Sequence, residues 1–304
     1  MNLTKSDCLG IALFLILGGL VLMLTACGGS SREQYSPAPA ESLKYSPTAV
    51  IASPGGEGTP VVFQGQVLTI MGVRVGPSTG NVQIVSDVLL TEFQAPMTLI
   101  CAFVEGDTLY IFGVTGFDFN AGLSAYGNSV VRMSTKDLLT WETETVYTFP
   151  AHIAGYNLSV SPAPNGYIMA YDFGPPWQQG FLFSPDLTHW AEQPGYFQSP
   201  PWSSAVTIRY LEGYYYLFYS TQDDKGMFYT GAVRSTDRFS WEPAVKSVIY
   251  PTEPVHRINT TDFDMVEVNG QVHAVFAVGD QSGNGAMATA VYNGDFRQMV
   301  KDLF

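Results

Sequence analysis

SPDLTHW at residues 184–190 and STDRFSW at residues 235–241 share the pattern Ser-x-Asp-x-x-x-Trp. A third copy keeps the Asp-to-Trp spacing at Asp137 and Trp141. The aspartates Asp87, Asp137, Asp186 and Asp237 lie 50, 49 and 51 residues apart. A fixed period of this size among short aromatic strands is typical of a β-propeller or a similar repeat array. In such a repeat the Asp is expected to accept backbone N–H groups in a turn, and the Trp to fill the wedge between two blades.

Five tight hairpins accompany these outer turns. Gly or Asn-Gly between apolar or alternating runs supplies the positive φ that a tight hairpin needs. No stretch shows a sustained helical period. These signals predict an all-β chain that folds as a five-bladed β-propeller, with residues 292–296 as a degenerate fifth outer turn. The hairpin turns are Gln64-Gly65, Glu105-Gly106-Asp107, Pro164-Asn165-Gly166, Glu212-Gly213 and Asn269-Gly270.

The N-terminal residues carry a targeting signal. Lys5 precedes an uncharged apolar run over residues 9–26, which ends in Leu24-Thr25-Ala26-Cys27 and is followed by Gly28. This pattern resembles the lipobox of bacterial lipoproteins, in which cleavage before the Cys prepares it for acylation. An ordinary signal peptide or a signal anchor is the alternative. Gly28 in place of Asp implies, by the same resemblance, the outer membrane of a Gram-negative cell.

The chain therefore divides into three expected parts. Residues 1–26 form the lipoprotein signal peptide, residues 27–48 a Ser/Pro/Gly/Ala-rich tether from lipidated Cys27, and residues 49–304 the propeller. Cys8 lies in the removed segment and Cys101 is left alone, so no disulfide is expected in the mature chain.

Composition narrows the range of partners. The chain has 27 acidic and 14 basic residues and a net charge of −13, and its basic residues are too few and scattered to neutralise a phosphate backbone. This argues against nucleic acid as a partner. Charged and aromatic residues each make up 13% of the chain, and a surface of this kind suits neutral ligands such as sugars.

Segments of the second half resemble a known family. The outer turns, Thr207-Ile208-Arg209-Tyr210 with Gly213-Tyr214-Tyr215-Tyr216, and Asn259-Thr260-Thr261-Asp262-Phe263-Asp264 are similar to five-bladed glycoside hydrolases of the arabinofuranosidase/xylosidase and invertase-like clans. The similarity runs from about residue 55 to residue 304 and is most specific in blades 3 to 5. It implies a substrate pocket at the narrow end of the central channel, lined by the first strand of each blade. It also implies three acidic side chains there, of which one activates water or attacks the sugar, one protonates the leaving oxygen and one tunes the others.

Three aspartates are candidates for these roles. Asp262 and Asp264 begin the inner strand of blade 5 and, at a spacing of two, face the same side of it. Two carboxylates on an apolar strand are costly unless they are paired, metal-bound or functional. A turn cap is the alternative for Asp262, and a pair with Arg257 or another cation is the alternative for Asp264. Asp172 stands where the resembled family usually carries Glu, and a structural loop role is its alternative.

Blade 1 departs from the family pattern. The matching stretch is Gly58-Thr59-Pro60-Val61-Val62, where the resemblance implies Asp or Asn, and Thr59 is no base. Glu57 could substitute, although an exposed linker glutamate is the alternative. This departure favours the hypothesis that the chain binds sugar without cleaving it.

Other polar and aromatic residues are candidate ligands of a sugar. Asn157 and Arg209 are predicted hydroxyl or carboxylate binders on axial strands, with a structural ion pair as the alternative for Arg209. His256 shares a loop with Asp262 and is a candidate acid or substrate ligand, with plain surface as its alternative. Tyr156, Trp177 and Trp202 are candidate stacking platforms, with core packing as their alternative.

These residues lead to one main hypothesis and two alternatives. The main hypothesis is a monomeric, lipid-anchored glycoside hydrolase with Asp262, Asp172 and Asp264 as its carboxyls, acting on an oligo- or polysaccharide. The alternatives are a non-catalytic carbohydrate-binding propeller and an envelope interaction scaffold. No cofactor is expected. The carboxylates are suitable ligands for a structural calcium ion at the axis, but no loop has a recognisable ligand spacing.

Overall fold

The computed structural model describes residues 41–51, 57–76, 79–86, 89–116, 128–174, 177–281 and 285–304. These residues form twenty β-strands, one α-helix and a short 3-10 helix, Pro254–His256, so the predicted all-β class is confirmed. The strands form three four-stranded sheets and one eight-stranded sheet. The eight-stranded sheet is two blades joined by one parallel pair, Phe228 with Asn259. The chain is thus a five-bladed β-propeller.

Each blade is an antiparallel meander whose first strand is innermost. Blade 1 contains β2 (Glu57–Phe63), β3 (Gln66–Gly76), β4 (Thr79–Val85) and β5 (Leu89–Ala95). Blade 2 contains β6 (Thr98–Glu105), β7 (Thr108–Thr115), β8 (Ser129–Thr135) and β9 (Glu142–Thr148). Blade 3 contains β10 (Tyr156–Ala163), β11 (Gly166–Phe173), β12 (Gln178–Ser184) and β13 (Ala191–Phe197). Blade 4 contains β14 (Ser204–Leu211), β15 (Tyr214–Gln222), β16 (Phe228–Ser235) and β17 (Glu242–Pro243). Blade 5 contains β18 (Asn259–Val268), β19 (Gln271–Gly279) and β20 (Ala286–Tyr292) and is completed by β1 (Ser46–Ile51).

The ring is closed by the first strand of the part of the chain that the structure describes. β1 pairs antiparallel with β20 and so becomes the outer strand of blade 5. Leu43 is buried, and its N–H donates to the carbonyl of Ser247 at 3.2 Å. Part of the segment that the sequence assigned to a tether, residues 41–48, therefore packs on the propeller.

The C-terminus also differs from the sequence prediction. Asp295, predicted to belong to a fifth outer turn, caps α1 (Phe296–Leu303) by accepting from the N–H of Gln298 at 2.7 Å. The helix packs Met299, Val300 and Leu303 into the core of blade 5. At eight residues it is too short to give a periodic sequence signal. No helix among the described residues is long and apolar enough to cross a membrane.

The predicted hairpin turns are confirmed. They connect the first and second strands of all five blades. Gln64, Asn165, Glu212 and Asn269 have positive φ values of 51° to 66°, and a glycine with positive φ follows each of them. This is the geometry that a two-residue hairpin requires.

The repeated Asp and Trp residues are structural, as predicted. Asp186 accepts from the N–H groups of Thr188 and His189 at 2.9 and 2.8 Å, and Asp137 and Asp237 make the same pair of bonds in their turns. Trp190 of blade 3 packs edge-on against Phe112 of blade 2 at 6.0 Å between ring centroids. Trp141 and Trp241 likewise contact aromatic rings of the preceding blade. Asp87 lies outside the described residues.

Candidate functional site

The five inner strands carry residues at one equivalent position near their start. In β6, β10, β14 and β18 the register shifts by one residue near the start of the strand, which marks a β-bulge. One residue of each bulge has a φ of 47° to 53°, in the left-handed region. In each of these four strands the left-handed residue lies six positions before the last residue of the strand. In β2, which has no such bulge, the residue at that position is Glu57. Taken in blade order, the five are Glu57, Leu99, Asn157, Ala205 and Asp262.

Four of these five residues line one axial pocket. The pocket encloses about 40 Å³, and Glu57, Asn157, Ala205 and Asp262 are among its lining residues. Such a volume admits only a few water molecules or a group of that size. Two residues further along the strands, a second layer forms the floor. Its members that line the pocket are Thr59, Cys101, Thr207 and Asp264.

Asp262 is a partly exposed carboxyl in this pocket. Its Oδ2 lies 2.6 Å from the Thr261 hydroxyl, and its N–H donates to the Ser220 hydroxyl at 3.1 Å. Burial raises the pKa of Asp262 above its usual value, and the Thr261 hydrogen bond opposes that rise. Thr261 Oγ1 is also 2.8 Å from Asn259 Oδ1, to which Gln281 donates. Asp262 is therefore placed in the axial pocket, with its carboxyl linked to Thr261.

Asp264 belongs to the floor and is paired. Arg209 donates to its Oδ1 at 2.5 Å, and the N–H of Met265 donates to the same oxygen at 2.7 Å. Burial raises the pKa of Asp264, and Arg209 opposes this. Arg209 also donates to the carbonyls of Ile208 and Met265. It therefore forms a structural ion pair, which is the alternative to a role in binding sugar. Arg257, the cation suggested for Asp264, pairs with Asp280 instead.

Asp172 is fully buried and is not among the lining residues of the pocket. Its Oδ2 accepts from the Ser204 hydroxyl at 2.6 Å, the Ala205 N–H at 2.7 Å and Asn157 Nδ2 at 2.9 Å. Its Oδ1 accepts from Gln179 at 2.8 Å. Burial raises the pKa of Asp172 to about 6, and these hydrogen bonds oppose the rise. The carboxylate thus joins blade 3 to the bulge of blade 4, a geometry that does not support the expected catalytic contact with substrate.

The remaining candidates lie around the site or away from it. His256 is buried, accepts the N–H groups of Thr252 and Glu253 on Nδ1, and has a pKa lowered by burial. Tyr156 is buried and meets the half-exposed Trp177 edge-on at 6.1 Å. Trp202 packs on Phe228 at 6.0 Å, and Cys27 lies outside the described residues. Within the described part of the chain, no group of three or more His, Cys, Asp or Glu side chains is placed to hold a metal ion.

Sequence reasoning misjudged blade 1 and missed two supporting residues. The sequence placed Thr59 at the acidic position of blade 1 and named Glu57 as a possible substitute. Thr59 lies in the floor, and Glu57 occupies the position equivalent to Asp262. Counting back from each hairpin turn would have aligned these residues, because side chains alternate with period two along a strand. Thr261 and Asn259 belong to a segment that carries the family resemblance, but their role depends on the fold around Asp262 and cannot be seen in the sequence.

No family model matches this sequence, and no curated protein sequence matches it. Many solved structures do resemble it in three dimensions. An α-L-arabinofuranosidase from Lactobacillus brevis has a TM-score of 0.59 at 9% identity, over 78% of this chain and 91% of the other. The arabinanase of Bacillus subtilis has a TM-score of 0.58 at 10% identity, over 79% and 95%. The chain has the five-bladed fold of these glycoside hydrolases. A β-1,2-mannobiose phosphorylase from Listeria innocua has a TM-score of 0.56 at 11% identity, over 84% and 92%. At such identities the likeness extends to the fold alone.

Proposed function

We propose that the axial pocket hydrolyses a glycosidic bond of an oligo- or polysaccharide. The observation that carries the proposal is that Glu57 and Asp262, from the inner strands of adjoining blades, line the same pocket. Glycoside hydrolysis needs two carboxyls beside the scissile bond, one ionised and one protonated. The solved structures that resemble the chain include enzymes named for cleaving arabinosides and arabinan, which adds weight to this chemistry.

Asp262 is the proposed general acid. Its raised pKa favours the protonated form that a general acid needs. A protonated Asp262 can donate to Thr261 Oγ1 at 2.6 Å, and the Thr261 hydroxyl can then donate to Asn259 Oδ1 at 2.8 Å. The protonated carboxyl of Asp262 therefore has a hydrogen-bond acceptor within the site. It gives its proton to the leaving oxygen as the bond to the anomeric carbon breaks.

Glu57 is the proposed partner. As a carboxylate it takes a proton from the water that adds to the anomeric carbon, or it attacks that carbon first and is released by water. Asp264 in the floor is neutralised by its ion pair with Arg209, so the pair adds no net charge below these two groups.

The lining also indicates which substrates the pocket admits. Its described polar side chains are carboxyls, an amide, hydroxyls and a thiol, with no Lys, Arg or His among them. Such a lining favours neutral, hydroxyl-bearing sugars over sugars with carboxylate or phosphate groups. It likewise favours water over inorganic phosphate as the attacking molecule. The small volume suits the hydroxyl-bearing edge of a terminal sugar.

Substitution of Glu57 tests the proposal. Glu57→Gln is expected to lower kcat/KM by about 10²–10⁴-fold, because it removes one of the two proton-transfer groups. The measurement is release of reducing sugar from neutral glycosides, including arabinan and β-1,2-mannobiose, with and without inorganic phosphate. Glu105→Gln, at the other end of an inner strand, is the matched control and should leave the rate unchanged. Unaltered turnover in Glu57→Gln, or turnover that requires phosphate, would refute the assignment.

A second candidate function is capture of carbohydrate without cleavage. It is favoured by Ala205, which offers no functional group at the blade 4 position, and by Asp172, whose carboxylate is fully engaged by neighbouring donors. Sugar binding by calorimetry together with no turnover on the same glycosides would establish this function in place of the first.

We also propose that acylated Cys27 anchors the propeller at the cell envelope, in the outer membrane. The lipobox-like segment that ends at Cys27 supports this. Cys27→Ala is expected to abolish incorporation of radiolabelled palmitate and to move the protein from the membrane fraction to the soluble fraction. Cys8→Ala is the matched control, and equal labelling of wild type and Cys27→Ala would contradict the anchor.

A further inference from the structure

The side-chain amide of Asn157 is held in one orientation. Its Nδ2 donates to Asp172 Oδ2 at 2.9 Å and to Ser204 Oγ at 3.2 Å. The Asp172 carboxylate can only accept, and Ser204 uses its own proton in a 2.6 Å bond to Asp172. The NH₂ end of the amide must therefore face Asp172.

The opposite end of this amide has an unmet hydrogen-bonding capacity. Asn157 Oδ1 is buried and accepts no hydrogen bond from the described residues, while Asn157 lines the axial pocket. A buried acceptor without a donor is unfavourable, so an acceptor fixed at a pocket wall points to a donor supplied by the ligand. A sugar hydroxyl is such a donor.

Support of the neighbouring bulge does not by itself require a carboxylate at residue 172. Asp172 pairs across the blade with Tyr156, and Ser220 pairs in the equivalent way with Ser204 one blade later. The Ser220 hydroxyl accepts the N–H of the next bulge at 3.1 Å, as Asp172 accepts that of Ala205. A hydroxyl therefore suffices to support a bulge, and the larger carboxylate additionally reaches Asn157.

We propose that Asn157 Oδ1 is a specificity-determining acceptor for one hydroxyl group of a neutral sugar, and that Asp172 is the positioning residue that aims it. The inference rests on the proposed function, because it names the recognition chemistry of the same pocket. It assigns Asp172 a role that acts through Asn157, without contact with the substrate.

The test separates support of the bulge from orientation of the amide. Asp172→Ser should keep the bond to the Ala205 N–H, as Ser220 does for its neighbour, and lose the bond to Asn157. The probes are L-arabinose, D-mannose and D-fructose, titrated by calorimetry into the full chain. For the sugar that wild type binds most tightly, the affinity is expected to fall about tenfold in Asp172→Ser and in Asn157→Leu, with no further loss in the double variant. Leucine is tolerated at this bulge position, since Leu99 occupies it in blade 2 with a φ of 53°.

Two controls and one spectroscopic readout complete the design. Asp172→Asn keeps an oxygen for the three donors and should restore wild-type affinity. Gln179→Met removes a different bond to Asp172 and should leave affinity unchanged. The side-chain NH₂ protons of Asn157 should exchange slowly in wild type and fast in Asp172→Ser. If Asp172→Ser does not fold, the comparison of Asn157→Leu with wild type decides the role of the acceptor.

Unchanged affinity in Asp172→Ser, additive losses in the double variant, or no binding of any probe by wild type would overturn the inference. These outcomes are distinct from failure of the proposed function, which is read from turnover. Sugar binding that depends on Asn157 without any turnover refutes hydrolysis alone.

Discussion

Asp262→Asn is expected to lower kcat/KM for glycoside hydrolysis by about 10²–10⁴-fold, because an amide cannot deliver a proton to the leaving oxygen. Asparagine is the suitable replacement, since residue 262 has a φ of 52° and Asn tolerates the left-handed region better than most residues. Loss of activity would then report the chemistry rather than a disturbed bulge. The measurement is steady-state release of reducing sugar, with Asp224→Asn, an exposed aspartate, as the matched control.

The pH dependence gives this prediction a second readout. Burial raises the pKa of Asp262, so its protonated, active form persists above the pH at which an ordinary aspartate ionises, and activity should fall as pH rises through that raised value. A carboxyl with a raised pKa contributes stability that is fully present below its unfolded pKa and is lost as pH rises through the folded value. Asp262→Asn should therefore be at least as stable as wild type at neutral pH. Full activity in this variant, or a wild-type profile without a fall on the alkaline side, would contradict the role of general acid.

Arg209→Met is expected to lower the free energy of unfolding by about 3–5 kcal/mol, because it leaves the Asp264 carboxylate buried without its cation. The pair is well shielded, with side-chain exposures of 20% for Arg209 and 9% for Asp264. The substitution also removes the donor for the Ile208 and Met265 carbonyls. Urea unfolding at neutral pH measures the change.

Two further variants give this second prediction its controls. Arg257→Met breaks the Arg257–Asp280 pair, in which the arginine side chain is 55% exposed, and should cost no more than about 1 kcal/mol. Adding Asp264→Leu to Arg209→Met removes the stranded charge and should recover part of the lost stability. A decrease in the free energy of unfolding below about 1 kcal/mol in Arg209→Met would contradict this prediction. It would show that other groups or water stabilise the Asp264 carboxylate.

Most of the fold could be predicted from the sequence because its signals are local. The hairpin at Asn269-Gly270 and the outer turn at Asp186 each depend on residues within a few positions of one another, so single segments reveal them. The pairing of β1 with β20 joins chain segments more than two hundred residues apart, and no short motif marks it. Helix α1 was missed for a different reason: it is too short for a periodic signal, and its helical state depends on packing into blade 5.

The candidate site could be predicted only in part. The sequence indicates Asp262 because a polar residue at the entrance of an apolar strand is conspicuous. The placement of Asp172 depends on donors from the next blade, Ser204 and Ala205, which sequence separation hides. Glu57 lies between two glycines, outside the apolar run of its strand, so the sequence alone does not distinguish it from a linker glutamate.

The pairing of β1 with β20 has a consequence for biosynthesis. β1 lies near the start of the described chain and its partner β20 near the end, so the ring stays open until nearly the whole chain has emerged from the ribosome. Until then β1 has no partner strand, and an unpaired strand edge is the kind of surface through which nascent chains aggregate. A protein that lacks the residues before 52 would leave the outer edge of β20 permanently unpaired. Its solubility should fall more than its activity.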